Sequence, residues 1–139
     1  MGGVRGRELG DPGVERDQRH YFWGVVLDAP KAWPLARFYA DLLGWHAEAA
    51  PGADYVAVAA PDGVAYLATQ TSQNYQRPTW PNVAGEQQMM MHLDFEVGDL
   101  TAAVEHAQQL GATLAEHQPQ DNVRVMLDPA GHPFCLYVG

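Results

Sequence analysis

Residues 91–112 read "MHLDFEVGDLTAAVEHAQQLGA", and the spacing of their apolar side chains changes partway along. Over 90–97, "MMHLDFEV", apolar and polar residues alternate. Leu93, Phe95 and Val97 point one way and His92, Asp94 and Glu96 the other, which is the period of a strand. From Leu100 the pattern becomes helical, with Leu100, Ala103, Val104, Ala107 and Leu110 on one side. Asp99 is placed to cap the helix N-terminus and Gly111 to end it. Three short strands come next, "ATLAEH", "NVRVMLDPAG" and "PFCLYV", the last two divided by a Pro-Ala-Gly turn. Together these segments predict a βαβββ unit.

The same order stands upstream. "YFWGVVLDAP" reads as a strand rich in aromatic and β-branched residues. "PLARFYADLLGW" sets Leu35, Phe38, Tyr39, Leu42 and Leu43 at helical spacing and stops at Gly44. "HAEAA", "DYVAVAAPDG" and "VAYLATQ" give three more strands. Both helices end in Leu-Gly, and both last strands come after a turn, "PDG" in one and "DPAG" in the other. The chain is a tandem of two α+β modules, the first over about 20–72 and the second over about 89–139. A polar connector of about 71–88 lies between them and holds Tyr75, Pro78, Trp80 and Pro81. Residues 1–19 lack apolar periodicity and predict a disordered extension before a single domain of 20–139.

Composition narrows the function classes. The chain has 139 residues and a net charge of −9 on only eight Lys and Arg. Arg5, Arg7, Arg16 and Arg19 are offset by Glu8, Asp11, Glu15 and Asp17, so the rest of the chain carries the whole excess. Such a body repels phosphate backbones and anionic membranes and attracts cations. No apolar run approaches the roughly 20 residues of a membrane span. A single cysteine excludes an internal disulfide, and a cytoplasmic address is expected. Phosphate-binding glycine loops and serine-centred elbows are missing.

Three motifs, "LARFYADLLGW", "MHLDFEVGDLTAAVEHAQQLGA" and the closing "LDPAGHPFCLYV", carry a resemblance to the vicinal oxygen chelate superfamily. Its members include glyoxalase I, extradiol dioxygenases, fosfomycin-resistance enzymes and bleomycin-binding proteins. The run "RPTWP…QQMMMHLDF" is similar to a glyoxalase-like subgroup of actinobacterial type. The resemblance spans residues 20–139 and implies two modules whose curved sheets form a cup, often paired as a homodimer. It fixes no reaction, because the fold hosts many chemistries.

Metal enzymes of the superfamily place ligands on the first and last strands of each unit, typically His, Glu, His and Glu. His92 matches the second-unit histidine. Its first-strand counterpart falls at Gly24, or at Tyr21 if Asp28 is aligned with Asp99, and His20 lies nearby on the same face as Phe22. Tyr66 stands where the first unit would have a glutamate, with Gln70 further along. Cys135 occupies the place of the second glutamate. With so many ligands replaced, no metal is expected. The alternative is a Zn or Fe site of His92, Cys135 and either Tyr66 or His20. A nucleophilic Cys135 would need a cationic neighbour, with His92 the candidate. The remaining reading makes Cys135 a small packing residue.

His92 is also a candidate general base, oriented by Asp94. Trp80 and Tyr75 offer aromatic faces for a planar or cationic ligand, or else brace the connector. Asp94 and Glu96 either face a wet cup that binds something polar, the favoured reading, or lie near its rim and pair with Arg124. The candidate ligand-binding set is thus Phe22, Tyr66, Gln70, Trp80, His92, Arg124, Cys135 and Tyr137. The expected function is binding of a small cationic or aromatic molecule without the standard metal set, as the bleomycin-binding branch implies. The alternatives are a lyase, isomerase or dioxygenase, and a structural dimer with no chemistry in the cup. Standard glyoxalase I activity is disfavoured, because its metal carboxylates are missing.

Overall fold

The computed structural model describes residues 22–61 and 63–139. The expected disordered extension and the candidate residues His20 and Tyr21 lie outside the described residues. The chain divides into two compact units, one ending at Gln73 and the other beginning at Asn74. The first contains β1 (Trp23–Ala29), α1 (Ala32–Leu43), β2 (His46–Ala47), β3 (Tyr55–Ala59) and β4 (Ala65–Thr71). The second contains β5 (Leu93–Glu96), α2 (Leu100–Gln109), β6 (Thr113–Leu114), β7 (Val123–Leu127) and β8 (Pro133–Tyr137). Their sheets have the matching orders β1-β4-β3-β2 and β5-β8-β7-β6. The first strand of each unit runs parallel to the last, and the others are antiparallel. Both predicted βαβββ units are present, and no described helix is long and apolar enough to cross a membrane.

In the first unit, α1 lays Ala32, Ala36 and Ala40 on Val56 and Val58 of β3, and Leu35, Phe38 and Tyr39 are buried with them. Small residues along the contact stripe let helix and sheet approach closely. The helix begins at Ala32, two residues before the expected Pro34. A proline is tolerated there because the first-turn N–H groups have no partner within the helix. Lys31 gives no side-chain cap. Instead β4 holds the helix start: the Ala32 N–H donates to Thr71 Oγ1 at 3.0 Å, and the buried Thr69 hydroxyl donates to the Ala32 carbonyl at 2.8 Å. Gly44 ends the helix at φ 69°, a conformation that favours glycine.

In the second unit, Asp99 caps α2 as expected, its Oδ1 accepting from the Ala102 N–H at 3.0 Å. Met126, Phe134 and Leu136 are buried, with the Phe95 ring edge-on to Phe134 at 6.1 Å. β5 is shorter than the predicted 90–97. A tight turn precedes it, in which the Met91 N–H donates to the Met89 carbonyl at 2.7 Å and Met90 takes φ 62°. That turn stops the extended chain just ahead of His92.

The connector also differs from expectation. From Asn74 it belongs to the second unit. The Tyr75 hydroxyl donates to the Ala130 carbonyl at 2.6 Å, Arg77 Nη1 donates to the Pro129 carbonyl at 3.3 Å, and the Trp80 indole N–H donates to the His117 carbonyl at 3.1 Å. Arg77 also lies where a side chain on Gly131 would be. These polar tips explain why a segment without helix or strand still has fixed partners.

Candidate functional site

Because side chains alternate along a strand, each sheet has two faces. In the second unit, Leu93, Phe95, Met126, Phe134 and Leu136 form the apolar face. His92, Asp94, Glu96, Cys135 and Tyr137 share the other. Asp94 stands directly opposite Cys135 in the parallel ladder, and Glu96 opposite Tyr137. One His92 ring nitrogen, Nε2, lies 3.1 Å from Asp94 Oδ1, with the two side chains 40% and 57% exposed. An ionised carboxylate cannot donate, so this contact places a ring proton on Nε2, and in the neutral ring Nδ1 is then the acceptor.

Cys135 is partly buried. Its thiol is pushed up to about 11, first by burial and then by the charge and hydrogen bond of Asp94. A thiol must ionise to attack, so a nucleophilic Cys135 activated by His92 is not supported: the group touching it is an anion. Nor is Cys135 only a packing residue, since it touches Asp94. Strand pairing brings His92, Asp94 and Cys135 together, with one ligand atom of each within 4.8 Å of the others. Within the second unit, the donor that stands with His92 and Cys135 is Asp94. Asp94 is legible as a neighbour of His92 by its spacing of two. Its pairing with Cys135, 41 residues later, has no local signal.

The ladders also show how the two units correspond. His46 and Thr113 each stand two residues after the glycine ending the preceding helix, and they pair with Ala59 and Leu127. Those residues pair in turn with Tyr66 and Pro133. On this register, His92 corresponds to Gly24, Asp94 to Val26, Glu96 to Asp28, Cys135 to Ala68 and Tyr137 to Gln70. Gly24 is thus the His92 counterpart, as expected, whereas the counterpart of Cys135 is Ala68 and not Tyr66. The turns differ by one residue: six residues separate Ala59 from Tyr66, and five separate Leu127 from Pro133, so Ala68 follows Ala59 by nine residues where Cys135 follows Leu127 by eight. Tyr66 instead pairs with Gly24, and its ring occupies the space a Cβ on Gly24 would need.

The other candidates fall in different surroundings. Gln70 Nε2 donates to Asp28 Oδ1 at 2.7 Å. Exposed Tyr55 has its phenol raised by burial first and then by Tyr66. Phe22 stands exposed just before β1. Trp80 uses its indole N–H on His117, with the rings 6.0 Å apart, so its polar tip braces a loop. Arg124 does not pair with Asp94 or Glu96. It stands opposite Leu136, on the other face, and its Nη1 donates to the Val123, Asp121 and Gln120 carbonyls at 2.8, 3.0 and 3.4 Å. One residue of register sends a side chain to the opposite face. Among the described residues, Asp94 and Glu96 have no Lys or Arg partner.

A second polar group carries no signal of its own in the sequence. Asp128, with its side chain fully buried, accepts from the Ala130 and His132 N–H groups at 2.9 and 3.0 Å and bonds His132 Nδ1 at 2.9 Å. The Tyr75 hydroxyl lies 3.4 Å from His132 Nε2. Asp128 opens the "DPAG" segment, whose residue types announce only a turn.

The places that the resemblance gives to the metal ligands hold Gly24, His92, Cys135 and, by the ladder register, Ala68, which do not make the His, Glu, His and Glu set. The overall likeness is nevertheless clear. The family model for the glyoxalase-like domain matches residues 24–137. A glyoxalase/bleomycin resistance protein from Albidiferax ferrireducens is 16% identical with a TM-score of 0.60, covering 86% of this chain and 99% of its own. A glyoxalase-related enzyme from Fulvimarina pelagi is 20% identical with a TM-score of 0.59, covering 84% and 86%. The fosfomycin resistance protein FosX from Mesorhizobium loti is 13% identical with a TM-score of 0.60, covering 85% and 91%. At such identities the structures share the fold alone, and no curated protein sequence matches. Tandem βαβββ units and the family match over most of the chain agree: this protein belongs to the glyoxalase-like domain family.

Proposed function

We propose that the protein binds a small cationic or aromatic molecule on the polar face of its second sheet, without the standard chelate set of its superfamily. The observation that carries this reading is the exposed His92–Asp94 pair, 3.1 Å apart, beside Glu96 and with no Lys or Arg partner among the described residues. Exposed carboxylates sharing one strand face attract a cation, and the net charge of −9 adds a long-range pull. Thermal melting against a panel of aromatic amines, amidines and quaternary ammonium compounds tests it. A binder at 100 times its Kd adds about 2.7 kcal/mol of stability. The shift should shrink in Asp94→Asn and Glu96→Gln. A panel that leaves wild type unmoved would sink the proposal.

A second reading rests on the His92 ring itself. With Nε2–H held by Asp94, Nδ1 is free to take a proton from a bound substrate, as a general base does. That reading suits isomerase or lyase chemistry at a carbon beside a carbonyl. It predicts turnover that His92→Ala abolishes and Asp94→Asn lowers while substrate binding persists.

A further inference from the structure

The geometry points to a Zn²⁺ site made wholly within the second unit by His92, Asp94 and Cys135. His92 and Asp94 are two apart and share a face; Cys135 is the ladder partner of Asp94. Their ligand atoms already lie within 4.8 Å of one another. Tetrahedral Zn²⁺ with bonds of roughly 2.0–2.3 Å holds its ligands roughly 3.5 Å apart, so small side-chain rotations close the set. One residue just ahead of β5, one on β5 and one on β8 supply the site with no ligand from the first unit. This departs from the two-unit chelate that the fold implies, which Gly24 and Ala68 preclude.

The donor types choose the metal. Imidazole with a thiolate suits Zn²⁺, whereas Mg²⁺ and Ca²⁺ want oxygen alone. On binding, the Cys135 S–H bond breaks, its electron pair forms the Zn–S bond and one proton goes to solvent. Thiolate and carboxylate then balance the two charges of the ion, and the fourth tetrahedral position is open. That open position meets the face proposed to bind small molecules, but the metal site does not depend on an organic ligand being found.

The test is titration of chelator-treated protein with Zn²⁺, and with Co²⁺ as a coloured substitute. The expected result is one ion and one released proton per chain, a sulfur-to-cobalt charge-transfer band, and Zn²⁺ protection of Cys135 against alkylation. Cys135→Ser, His92→Ala and Asp94→Asn should each weaken Zn²⁺ binding at least about tenfold, with far-ultraviolet circular dichroism checking that each variant folds. No binding, or binding that is unchanged in Cys135→Ser and lacks the sulfur band, overturns the site. The thermal-shift panel, run with chelator, separates the two readings: an organic ligand that still binds metal-free protein leaves the small-molecule proposal standing whatever the metal result.

Discussion

The two units share one ladder and differ in what they hang on it. At corresponding places the first unit has Gly24, Val26 and Ala68, and the second has His92, Asp94 and Cys135. Backbone pairing does not require particular side chains on the face away from the core, so a repeated fold leaves these positions free to diverge. The first unit fills its face with Tyr66 over Gly24. The second keeps donors together. The contrast extends to the supports: α1 is held at its start by Thr69 and Thr71 of β4, and α2 by its own Asp99.

The largest expected effect lies in the turn before β8, where the second unit has Asp128 and the corresponding place of the first has Ala60. Asp128→Ala removes a buried carboxylate and strands the two N–H groups and the imidazole it binds. It should lower unfolding stability by about 3 kcal/mol, read by denaturant melting. A loss below about 1 kcal/mol would mean that the turn is held by its backbone alone, as in a turn without the carboxylate.

Next comes the glycine that separates the two faces. Gly24→Val drives a branched side chain into the Tyr66 ring and should cost about 2 kcal/mol. Adding Tyr66→Ala should recover part of that loss, because the ring is the obstacle. If the double variant is simply additive, the contact between them is not what excludes a side chain there.

The two helix starts should respond similarly despite their different partners. Asp99→Ala and Thr71→Val should each cost about 1 kcal/mol, since each removes an acceptor from an N–H of the first helical turn. A much larger loss for Thr71→Val would show that the long-range tie also holds the first sheet's register.

The smallest effect is one of pH. In metal-free protein the Cys135 thiol is raised from about 9 to about 11. The folded chain keeps its proton where the unfolded chain has lost it, so stability is fully present below about pH 9 and falls as pH rises toward 11. Cys135→Ala should flatten that window. Asp94→Asn removes the second cause of the shift but not burial, the first, so alkylation near pH 8 should quicken without becoming fast. No change in rate would show that the carboxylate does not reach the thiol.

Periodicity of two and of 3.6, a capping aspartate and glycines after each helix are enough to predict both βαβββ units, the helices and most strands, because these signals act between near neighbours. The short β5 is less legible: its boundary depends on a tight turn at Met90, a residue with no turn preference of its own. His92 and Asp94 can be paired from their spacing alone. Tyr66 matches Cys135 when the two last strands are read without their partners, and the ladder register puts that counterpart two residues on, at Ala68. Strand parity displaces Arg124, which lies one residue from the face its charge suggests.

By itself, then, the sequence determined the repeat, the family and the acidic surface, all of which come from local pattern and composition. Tertiary structure alone decided that Cys135 meets Asp94, that Tyr66 closes the space over Gly24, and that Tyr75 and Arg77 tie the connector to the turn at 128–131. Such contacts join residues that are distant in the chain, and their partners are set by strand register and turn length, where a difference of one residue changes the face and the neighbour.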